Sequence, residues 1–484
     1  MSREYWAGCF GRMESERRER FGTGRNLLIT PFAGCRSADC SPTTEVAMAA
    51  NGTDGKLSRD EVEIVVRQCL KSKDFRLVGY QLRPASESPL GFLGDHLKLR
   101  TVVERDGSEN EERHFFVKAV PSSLPQHTKY ALATRAFFKE IELYRTLFAD
   151  IREAQEKPTK WCPDYFFSRG EELVVVEDLS VEGYYMLPER TLMDEDHIRA
   201  SLRAMAAMHA GSLVLQEKLR KGAVTSLSPN YKKYRERTDV TLGQLYSHLT
   251  YETEVSDIKG HPGNTFMEVG FKSQIPVVDL LEGYTHQEKT KIKEKLPHAL
   301  RRILPLVKPS DKYQNVFIHG DLWSNNLLFR KGKDGKVQDS IIIDFQLARY
   351  APPAHDIMMF LYLVQDRNFR EKKEPELFDY YYEFLSKELS RNGVSAAAVL
   401  PKNVFLESCE FYRELGVISS VLYFQLIIAS PEAVEKFMES PESYEKIMLI
   451  DRSEMIIESF EKDKEYRRRM SEAMKELIQR HILP

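Results

Sequence analysis

The strongest constraint on the fold of this 484-residue chain is a pair of polar motifs with a defined spacing. The first, V-F-I-H-G-D-L-W-S-N-N-L-L-F, holds Asp321 and Asn326 in the pattern H-x-D-x-x-x-x-N, and the second, I-I-I-D-F-Q, holds Asp344, 23 residues after Asp321. The turn residues G-K-D-G-K between apolar runs predict a hairpin from 326–330 to 340–345. We therefore expect a carboxylate, an amide and a second carboxylate to meet at one place.

This set of side chains is typical of phosphoryl transfer. In such sites one carboxylate orients or deprotonates the attacking hydroxyl, while an amide oxygen and a second carboxylate hold magnesium ions that neutralise the phosphates. Asp321 is then the candidate catalytic base, and Asn326 and Asp344 are the candidate magnesium ligands. The alternative is an ordinary turn with a capping aspartate in H-G-D-L. The apolar strand that ends in Asp344 at the matching distance favours the catalytic interpretation.

The segments before these motifs supply candidates for nucleotide binding. G-F-L-G, with Gly91 and Gly94, is a candidate phosphate cover, although it has only two glycines and a bare hairpin turn explains it as well. Lys118 ends the hydrophobic strand H-F-F-V-K, and Glu140 on the next helix is its expected ion-pair partner, with Glu142 as the competing choice. The alternative for Lys118 is an exposed strand residue.

The order of predicted elements divides the chain into three parts. Residues 1–57 lack a sustained apolar period and are expected to form a disordered tail. A capping box at Ser58 begins a helix, and 58–178 is expected to be a β-rich lobe that binds the nucleotide. Asp178, in V-V-V-E-D-L, ends that lobe as a hinge whose backbone is expected to contact adenine. Helices dominate 179–484, which predicts an α+β fold with a larger, mostly helical second lobe. In the first lobe, strands are predicted at 75–82, 96–104, 112–120 and 172–177, and one helix at 130–149.

Composition excludes several classes of partner. With 70 Lys and Arg against 73 Asp and Glu, the formal net charge is −3, so no basic field attracts nucleic acid or acidic membranes. No run of about 18 apolar residues predicts a membrane span. The six cysteines are sparse, which predicts a cytoplasmic protein without a disulfide framework. The sequence does not indicate an oligomeric state.

Around these motifs the sequence resembles the ecdysteroid kinase-like family, relatives of the choline kinases and aminoglycoside phosphotransferases. The resemblance is carried by H-G-D-L-W-S-N-N, by I-I-D-F-Q-L-A-R-Y followed by P-P-A-H-D, by L-V-V-V-E-D-L and by L-R-A-M-A-A-M-H-A, which together span about residues 60–430. It implies a two-lobed protein-kinase-like fold and transfer of phosphate from ATP, with Mg²⁺, to a hydroxyl. It also implies the base and the magnesium ligands named above, with Lys118 and Glu140 at the ATP phosphates.

The resemblance bears on three further residues. It implies a structural role for Asp356, in P-P-A-H-D, which a helix N-cap would explain equally. His209, in A-M-H-A, resembles a phosphotransferase histidine, but a satisfied core histidine is the preferred interpretation. His319 is expected to support the catalytic loop by hydrogen bonding and not to act as the base.

Two departures from protein kinases indicate the kind of acceptor. Gln346 stands where D-F-G has its glycine, and 12 residues separate Asp344 from Asp356 with no A-P-E between them. A peptide-docking segment does not fit in that space, so a small hydroxylated molecule is expected in the helical lobe. Aromatic residues between 405 and 428 suggest a lipophilic alcohol such as an ecdysteroid or a xenobiotic, although such stripes are more often core. The sequence does not identify the acceptor.

Two other functions stay open. A choline- or aminoglycoside-type kinase would need an acidic, aromatic cleft for its cationic acceptor, and Glu407 and Glu410 are candidate carboxylates that on a helix more often face solvent. The other is a catalytically silent pseudokinase that binds a lipophilic ligand or a partner protein. The complete set of motif residues argues against it.

Overall fold

The computed structural model describes residues 56–85, 94–105, 109–120, 125–222, 240–249 and 261–483. The predicted tail, residues 1–57, lies outside the described residues except for its last two, and so does Gly91 of the candidate phosphate cover. Among the described residues, no helix is long and apolar enough to cross a bilayer. The cysteines in this part of the chain, Cys69, Cys162 and Cys409, are free thiols.

Five antiparallel strands form the sheet of the N-terminal lobe, in the spatial order β1-β2-β3-β5-β4. The strands are β1 (Arg76–Pro84), β2 (Asp95–Glu104), β3 (Glu111–Ala119), β4 (Tyr165–Arg169) and β5 (Leu173–Glu177). The four predicted strands are confirmed, with ends within two residues of β1, β2, β3 and β5. The edge strand β4 was not predicted.

The two faces of this sheet differ, because residues i and i+2 of a strand share a face. One face is apolar and is covered by helix α1 (Arg59–Leu70), whose buried valines pack against it. The predicted capping box at Ser58, which begins this helix, is confirmed. The register pairs His96 with Lys118, one position along from the apolar pair Leu97 and Val117. Lys118 therefore lies on the opposite face from α1, toward the rest of the molecule.

The single helix predicted for 130–149 is instead a broken one. The segment consists of α2 (Pro125–Thr134), α3 (Ala136–Glu142), a π-helical turn (Leu143–Leu147) and α4 (Phe148–Ala154). Arg135 breaks it with a left-handed backbone, φ 54°, a conformation that the sequence does not announce with glycine. The π turn rotates the residues after it relative to those before it.

Helices form most of the C-terminal lobe. They are α5 (Glu195–Arg220), α6 (Leu242–Leu245), α7 (Pro262–Ser273), α8 (Val277–Leu280), α9 (His286–Arg301), α10 (Ile303–Leu306), α11 (Pro353–Val364), α12 (Arg367–Arg391), α13 (Ala396–Val399), α14 (Lys402–Ile427), α15 (Pro431–Met438), α16 (Pro441–Glu445), α17 (Ser453–Lys462) and α18 (Lys464–Leu477). The long helices α5 and α12 pack together, and α11 packs against α14. The predicted two-lobed α+β architecture is confirmed.

Four short strands lie within this helical lobe. β6 (Val316–Ile318) pairs with β9 (Arg349–Ala351), and β7 (Leu327–Lys331) pairs with β8 (Val337–Ile342). The β7–β8 pair is the predicted hairpin, whereas the β6–β9 pair was not predicted. These two small sheets fix the positions of both polar motifs.

Candidate active site

Both polar motifs are connections between the same two small sheets. The first connection runs from Ile318 of β6 to Leu327 of β7, and the second runs from Ile342 of β8 to Arg349 of β9. Ile318 pairs with Arg349, and Leu327 pairs with Ile342. Because both connections start and finish at paired residues, they must lie side by side. The chain thus brings Asp321 and Asp344 together despite their separation in sequence.

Gly320 of the first connection lies close to the backbone of the second. Its φ is 79°, and a Cβ at this position would lie 2.5 Å from the carbonyl oxygen of Leu347. No other residue type fits this approach without displacing the backbone, which explains the glycine in H-G-D-L.

Asp321 and Asn326 are linked directly within the first connection. The Nδ2 of Asn326 donates to the backbone oxygen of Asp321 at 2.7 Å and to its Oδ2 at 3.1 Å. The backbone oxygen of Asn326 accepts from the N–H of Ile343 at 3.0 Å, which ties this loop to the residue before Asp344. Because Nδ2 is used within the loop, Oδ1 is the atom of Asn326 suited to a cation.

His319 is buried and uses both ring nitrogens in hydrogen bonds. Nδ1 accepts from the N–H of Asp321 at 3.2 Å, and Nε2 donates to the carbonyl of Ile343 at 2.9 Å. Burial lowers the pKa of His319, which favours this neutral form. With no lone pair left for a substrate proton, His319 supports the loop and is unsuited to the role of base.

Asp356 holds the backbone of the first connection through two hydrogen bonds. Its Oδ2 accepts from the N–H of His319 and its Oδ1 from the N–H of Gly320, both at 2.8 Å. The N-cap interpretation of Asp356 is wrong, because α11 is capped by Pro352 and Asp356 lies within the first turn. Burial alone would raise the pKa of Asp356, but the hydrogen bond from His209 and the neighbouring histidines lower it to about 2.

His209 and Tyr381 extend this buried network into the helical lobe. The Nε2 of His209 lies 3.2 Å from Oδ2 of Asp356, and its Nδ1 lies 2.7 Å from the hydroxyl of Tyr381. If Nε2–H donates to the carboxylate, Nδ1 accepts from the tyrosine, and every polar atom is paired. His209 is thus a satisfied core histidine that orients Asp356.

Asp344 belongs to a second cluster, which reaches across to the N-terminal lobe. The Nζ of Lys118 donates to Oε2 of Glu140 at 2.8 Å and to Oδ1 of Asp344 at 2.7 Å. Glu140 is therefore the partner of Lys118, while Glu142 pairs with Arg145. Lys118 is buried in this cluster, which excludes the alternative of an exposed strand residue.

The charged groups of this cluster shift one another's pKa values. Burial acts to lower the pKa of Lys118, but Asp344 and Glu140 raise it, so the ammonium stays protonated. Burial likewise acts to raise the pKa of Asp344, but Lys118 lowers it. Burial raises the pKa of Glu140 despite the lysine. The Asp344 side chain is 38% exposed and accessible to a ligand.

Of the two remaining residues predicted from the sequence, Gly94 lies close to this cluster and Asp178 lies at the predicted hinge. A Cβ on Gly94 would lie 3.4 Å from Cγ of Lys118, so this glycine lies beside the stem of the lysine. Asp178 follows β5 and caps a 3-10 turn by accepting from the N–H of Ser180 at 3.0 Å, and Lys98 of β2 lies 3.4 Å from its Oδ2. The side chain of Asp178 is thus engaged within the protein.

The side-chain oxygen atoms of Asp344 and Asn326 are of the kind that magnesium binds. Among the described residues, no group of three or more His, Cys, Asp or Glu side chains is placed to hold a metal ion. Mg²⁺ in phosphoryl-transfer sites takes one or two protein oxygens and completes its shell with phosphate and water. The partly exposed carboxylate of Asp344 and the amide oxygen of Asn326 match that requirement.

The residues of α14 that were considered for acceptor binding lie partly in the core and partly on the surface. Phe405, Tyr412 and Phe424 are buried among other helices, whereas Phe411 is 50% exposed and Tyr423 is partly buried. Glu407 pairs with Lys312 at 2.6 Å, and Glu410 with Arg413 at 2.9 Å; both glutamates are exposed. The two carboxylates weighed for a cationic acceptor are therefore already paired with protein cations.

Tyr381 is a residue that the sequence analysis missed. It lies on α12 in line with Leu377, Leu385 and Leu389, which are all buried. A tyrosine in such an apolar stripe needs a partner for its hydroxyl. The need for a hydrogen-bond partner was the signal in the sequence that could have pointed to Tyr381. It does not show which group the partner is.

Comparison with known proteins places the chain in a family. The model of the ecdysteroid kinase-like family matches residues 91–394. Among solved structures, a choline kinase from Cryptosporidium parvum Iowa II is 13% identical, with 84% of this chain and 92% of that chain covered and a TM-score of 0.35. A microcompartment-associated aminopropanol kinase is 14% identical, with coverage of 79% and 96% and a TM-score of 0.34.

A choline kinase from Streptococcus pneumoniae is 11% identical, with coverage of 86% and 99% and a TM-score of 0.33. No curated protein sequence matches the chain. The family match covers more than half of the chain and includes both polar motifs. This protein is therefore a member of the ecdysteroid kinase-like family and a small-molecule phosphotransferase.

Proposed function

We propose that this protein transfers the γ-phosphate of ATP, with Mg²⁺, to a hydroxyl of a lipophilic alcohol such as an ecdysteroid or a xenobiotic. The observation that carries the proposal is the position of Lys118 between Glu140 and Asp344, at 2.8 and 2.7 Å. The adjacent loop carries Asp321 joined to Asn326. A cation, a metal-binding carboxylate and a second carboxylate are the parts that phosphoryl transfer requires.

Lys118 serves the nucleotide in this proposal. Its ammonium is kept protonated by two carboxylates, so it can neutralise phosphate oxygens that enter beside Asp344. Glu140 fixes its direction, and Gly94 lies beside its stem. Bound magnesium would be held by Asp344 and Asn326, where it would neutralise charge on the transferred phosphate.

Asp321 serves the acceptor. The acceptor oxygen attacks the γ-phosphorus as its proton passes to the Asp321 carboxylate, the bond from phosphorus to the β,γ-bridging oxygen breaks, and ADP leaves. The loop that holds Asp321 is fixed by Asp356 through two backbone hydrogen bonds. Such fixed placement lowers the barrier by holding the reacting groups in register.

Three observations favour a small lipophilic acceptor over a peptide or a cation. Asp356 follows Asp344 by only 12 positions, which a 3-10 turn, β9 and the start of α11 occupy, so no segment is left for peptide docking. Glu407 and Glu410, the carboxylates considered for choline or an aminoglycoside, are paired with Lys312 and Arg413. Membership of the ecdysteroid kinase-like family supports a steroid-like alcohol.

The test is direct phosphorylation of a panel. The protein is incubated with ATP and Mg²⁺ and with an ecdysteroid, other hydroxylated lipophiles, choline, an aminoglycoside or a generic peptide, and products are identified by mass spectrometry as phosphate adducts. We expect the highest kcat/KM for a lipophilic alcohol. A higher value for choline or the aminoglycoside would contradict the lipophilic acceptor alone, and no adduct with any hydroxyl compound would contradict the kinase activity.

A further inference from the structure

Lys139, next to Glu140 on α3, is a buried lysine without a role in the proposed chemistry. Its side chain is 0% exposed, and its Nζ donates to the backbone carbonyl of Ala348 at 2.8 Å. Lysine is almost never fully buried unless it is paired, because transfer of an ammonium from water is costly. The burial of Lys139 therefore indicates a structural role in the segment that its ammonium group contacts.

Lys139 and Glu140 hold the two ends of one short turn. The turn is the 3-10 segment Phe345–Leu347 that follows Asp344. Glu140 accepts from the N–H of Phe345 at 3.2 Å, at its beginning, and Lys139 donates to the carbonyl of Ala348, directly after its end. Two consecutive residues of α3 thus fix the segment from both sides.

The segment needs such support because Asp344 has an unfavourable backbone conformation. Its φ of 65° and ψ of 70° lie in the left-handed region, which residues other than glycine rarely adopt. Conformations of this kind persist only where surrounding contacts determine them, and they concentrate at functional sites. The contacts from α3 act on the residues directly after Asp344.

We propose that Lys139 is a positioning residue for phosphoryl transfer: by holding Ala348 against α3, it keeps the carboxylate of Asp344 aimed at its ligand. The proposal rests on the proposed function in one respect, the assignment of Asp344 to the metal. It adds that α3 and the Asp344 turn are joined inside the core by a direct hydrogen bond.

The hydrogen bond of Lys139 links two parts that a kinase site must bring together. In protein kinases the Lys–Glu pair and the metal aspartate are brought into place by helix movement and activation-loop phosphorylation. Here the helix that carries Glu140 is attached to the Asp344 turn through Lys139. Loss of this hydrogen bond should therefore loosen the Asp344 turn relative to Glu140.

The test compares Lys139→Met, which keeps length and apolar volume but removes the donor, with Ile141→Val on the same helix. Ile141 is 1% exposed, so its truncation controls for a general loss of packing. The first measurement is binding of a non-hydrolysable ATP analogue as a function of Mg²⁺ concentration. The second is amide hydrogen exchange of peptides covering 344–351, which needs no activity.

We expect Lys139→Met to raise the Mg²⁺ concentration at half-saturation about tenfold, as for residues that orient metal ligands, and to speed exchange in 344–351. Ile141→Val should change neither, whatever its melting temperature. If Lys139→Met behaves like Ile141→Val in both measurements, the proposal is wrong. Should Lys139→Met fail to fold, Lys139→Leu, which also lacks a donor, takes its place, with the same change of about tenfold expected; unchanged values in that variant would also overturn the proposal.

Asp344→Asn separates this proposal from the proposed function. If Asp344→Asn keeps full Mg²⁺-dependent binding, the metal assignment fails, and faster exchange in Lys139→Met would still show that Lys139 holds the turn. If Asp344→Asn loses Mg²⁺ dependence, adding Lys139→Met should cause little further loss, because both changes act on the same ligand. An additive loss would contradict action through Asp344.

Discussion

The two connections that carry Asp321 and Asp344 lie side by side but are supported in different ways. The first is held from within the helical lobe, where Asp356 accepts two backbone N–H groups and is itself held by His209. The second is held across the lobes by the ion pairs of Lys118 and by Glu140. One connection is part of the core, and the other depends on contact between the lobes.

This difference separates the two halves of the proposed reaction. The acceptor side relies on buried hydrogen bonds, whose strength is little affected by salt or ligand. The nucleotide side relies on charges in a partly accessible cluster, which a phosphate and a metal can rearrange. Substitutions in the first connection should therefore affect turnover and stability. Substitutions in the second should affect nucleotide and metal binding.

The largest effect is expected for Asp321→Asn, the sharpest test of the acceptor side. Removing the base should lower kcat by about 10²–10⁴-fold on any alcohol that the wild type phosphorylates. Affinity for a non-hydrolysable ATP analogue should stay unchanged, because in the proposed mechanism Asp321 contacts the acceptor and not the nucleotide. Steady-state rates and calorimetry measure the two quantities. Near-native turnover would remove Asp321 from the mechanism.

On the nucleotide side, Asp344→Ala should reverse this pattern. Loss of the anionic ligand should weaken Mg²⁺-dependent binding of the ATP analogue by about a hundredfold. Asn326→Ala should do less, because a neutral amide contributes less to holding a cation. Calorimetry with and without Mg²⁺ gives the comparison. Equal affinities for wild type and Asp344→Ala in the presence of Mg²⁺ would contradict the metal assignment.

Asp356→Asn tests whether buried hydrogen bonds to an ionised carboxylate hold the first connection in place. The pKa of Asp356, about 2 in the folded protein, lies below its usual value of 3.8. Its ionised form therefore stabilises the fold fully above pH 3.8, and this contribution is lost as the pH falls toward 2. The difference in pKa corresponds to about 2 kcal/mol.

Wild type and Asp356→Asn should accordingly differ by about 2 kcal/mol more at pH 6 than at pH 2 in the free energy of unfolding. Urea denaturation at several pH values measures this difference. A constant difference across the range would show that the ionised carboxylate is not what stabilises the loop.

The smallest effect is expected for Tyr381→Phe, with two neighbouring tyrosines as controls. The variant leaves Nδ1 of His209 without a donor and should cost about 1 kcal/mol of stability and a few-fold in kcat. Tyr380→Phe and Tyr382→Phe remove hydroxyls bonded to Arg203 and to the carbonyl of Leu400, away from the loop. They should keep kcat unchanged. Equal losses of kcat in all three variants would show that Tyr381 has no specific link to the catalytic loop.

The sequence predicted much of the site because its chemistry is local. The spacing of Asp321, Asn326 and Asp344 follows from a short hairpin, in which turn residues and apolar alternation are readable in single stretches. Four of the five strands of the N-terminal sheet were predicted for the same reason, and β4 was not. The pairing of β6 with β9 was not, because it joins segments separated by the whole β7–β8 hairpin and has no turn signal.

The choice between Glu140 and Glu142 shows where sequence fails. Two residues apart on a helix, these side chains point about 200° from each other, so the rotation of α3 decides which one faces Lys118. That rotation is set by the left-handed break at Arg135 and by packing against the Asp344 turn. Neither can be read from the pattern of the helix itself.

The sequence by itself determined which groups are available: a carboxylate pair with an amide at a spacing that a hairpin closes, and a lysine at the end of a strand. Only the tertiary structure decided which side chains support them. Lys139, Tyr381 and Asp356 contact residues more than thirty positions away, and each role depends on burial beside one backbone or ring atom. Local pattern fixes the period of burial, whereas the identity of a distant partner is fixed by packing in three dimensions.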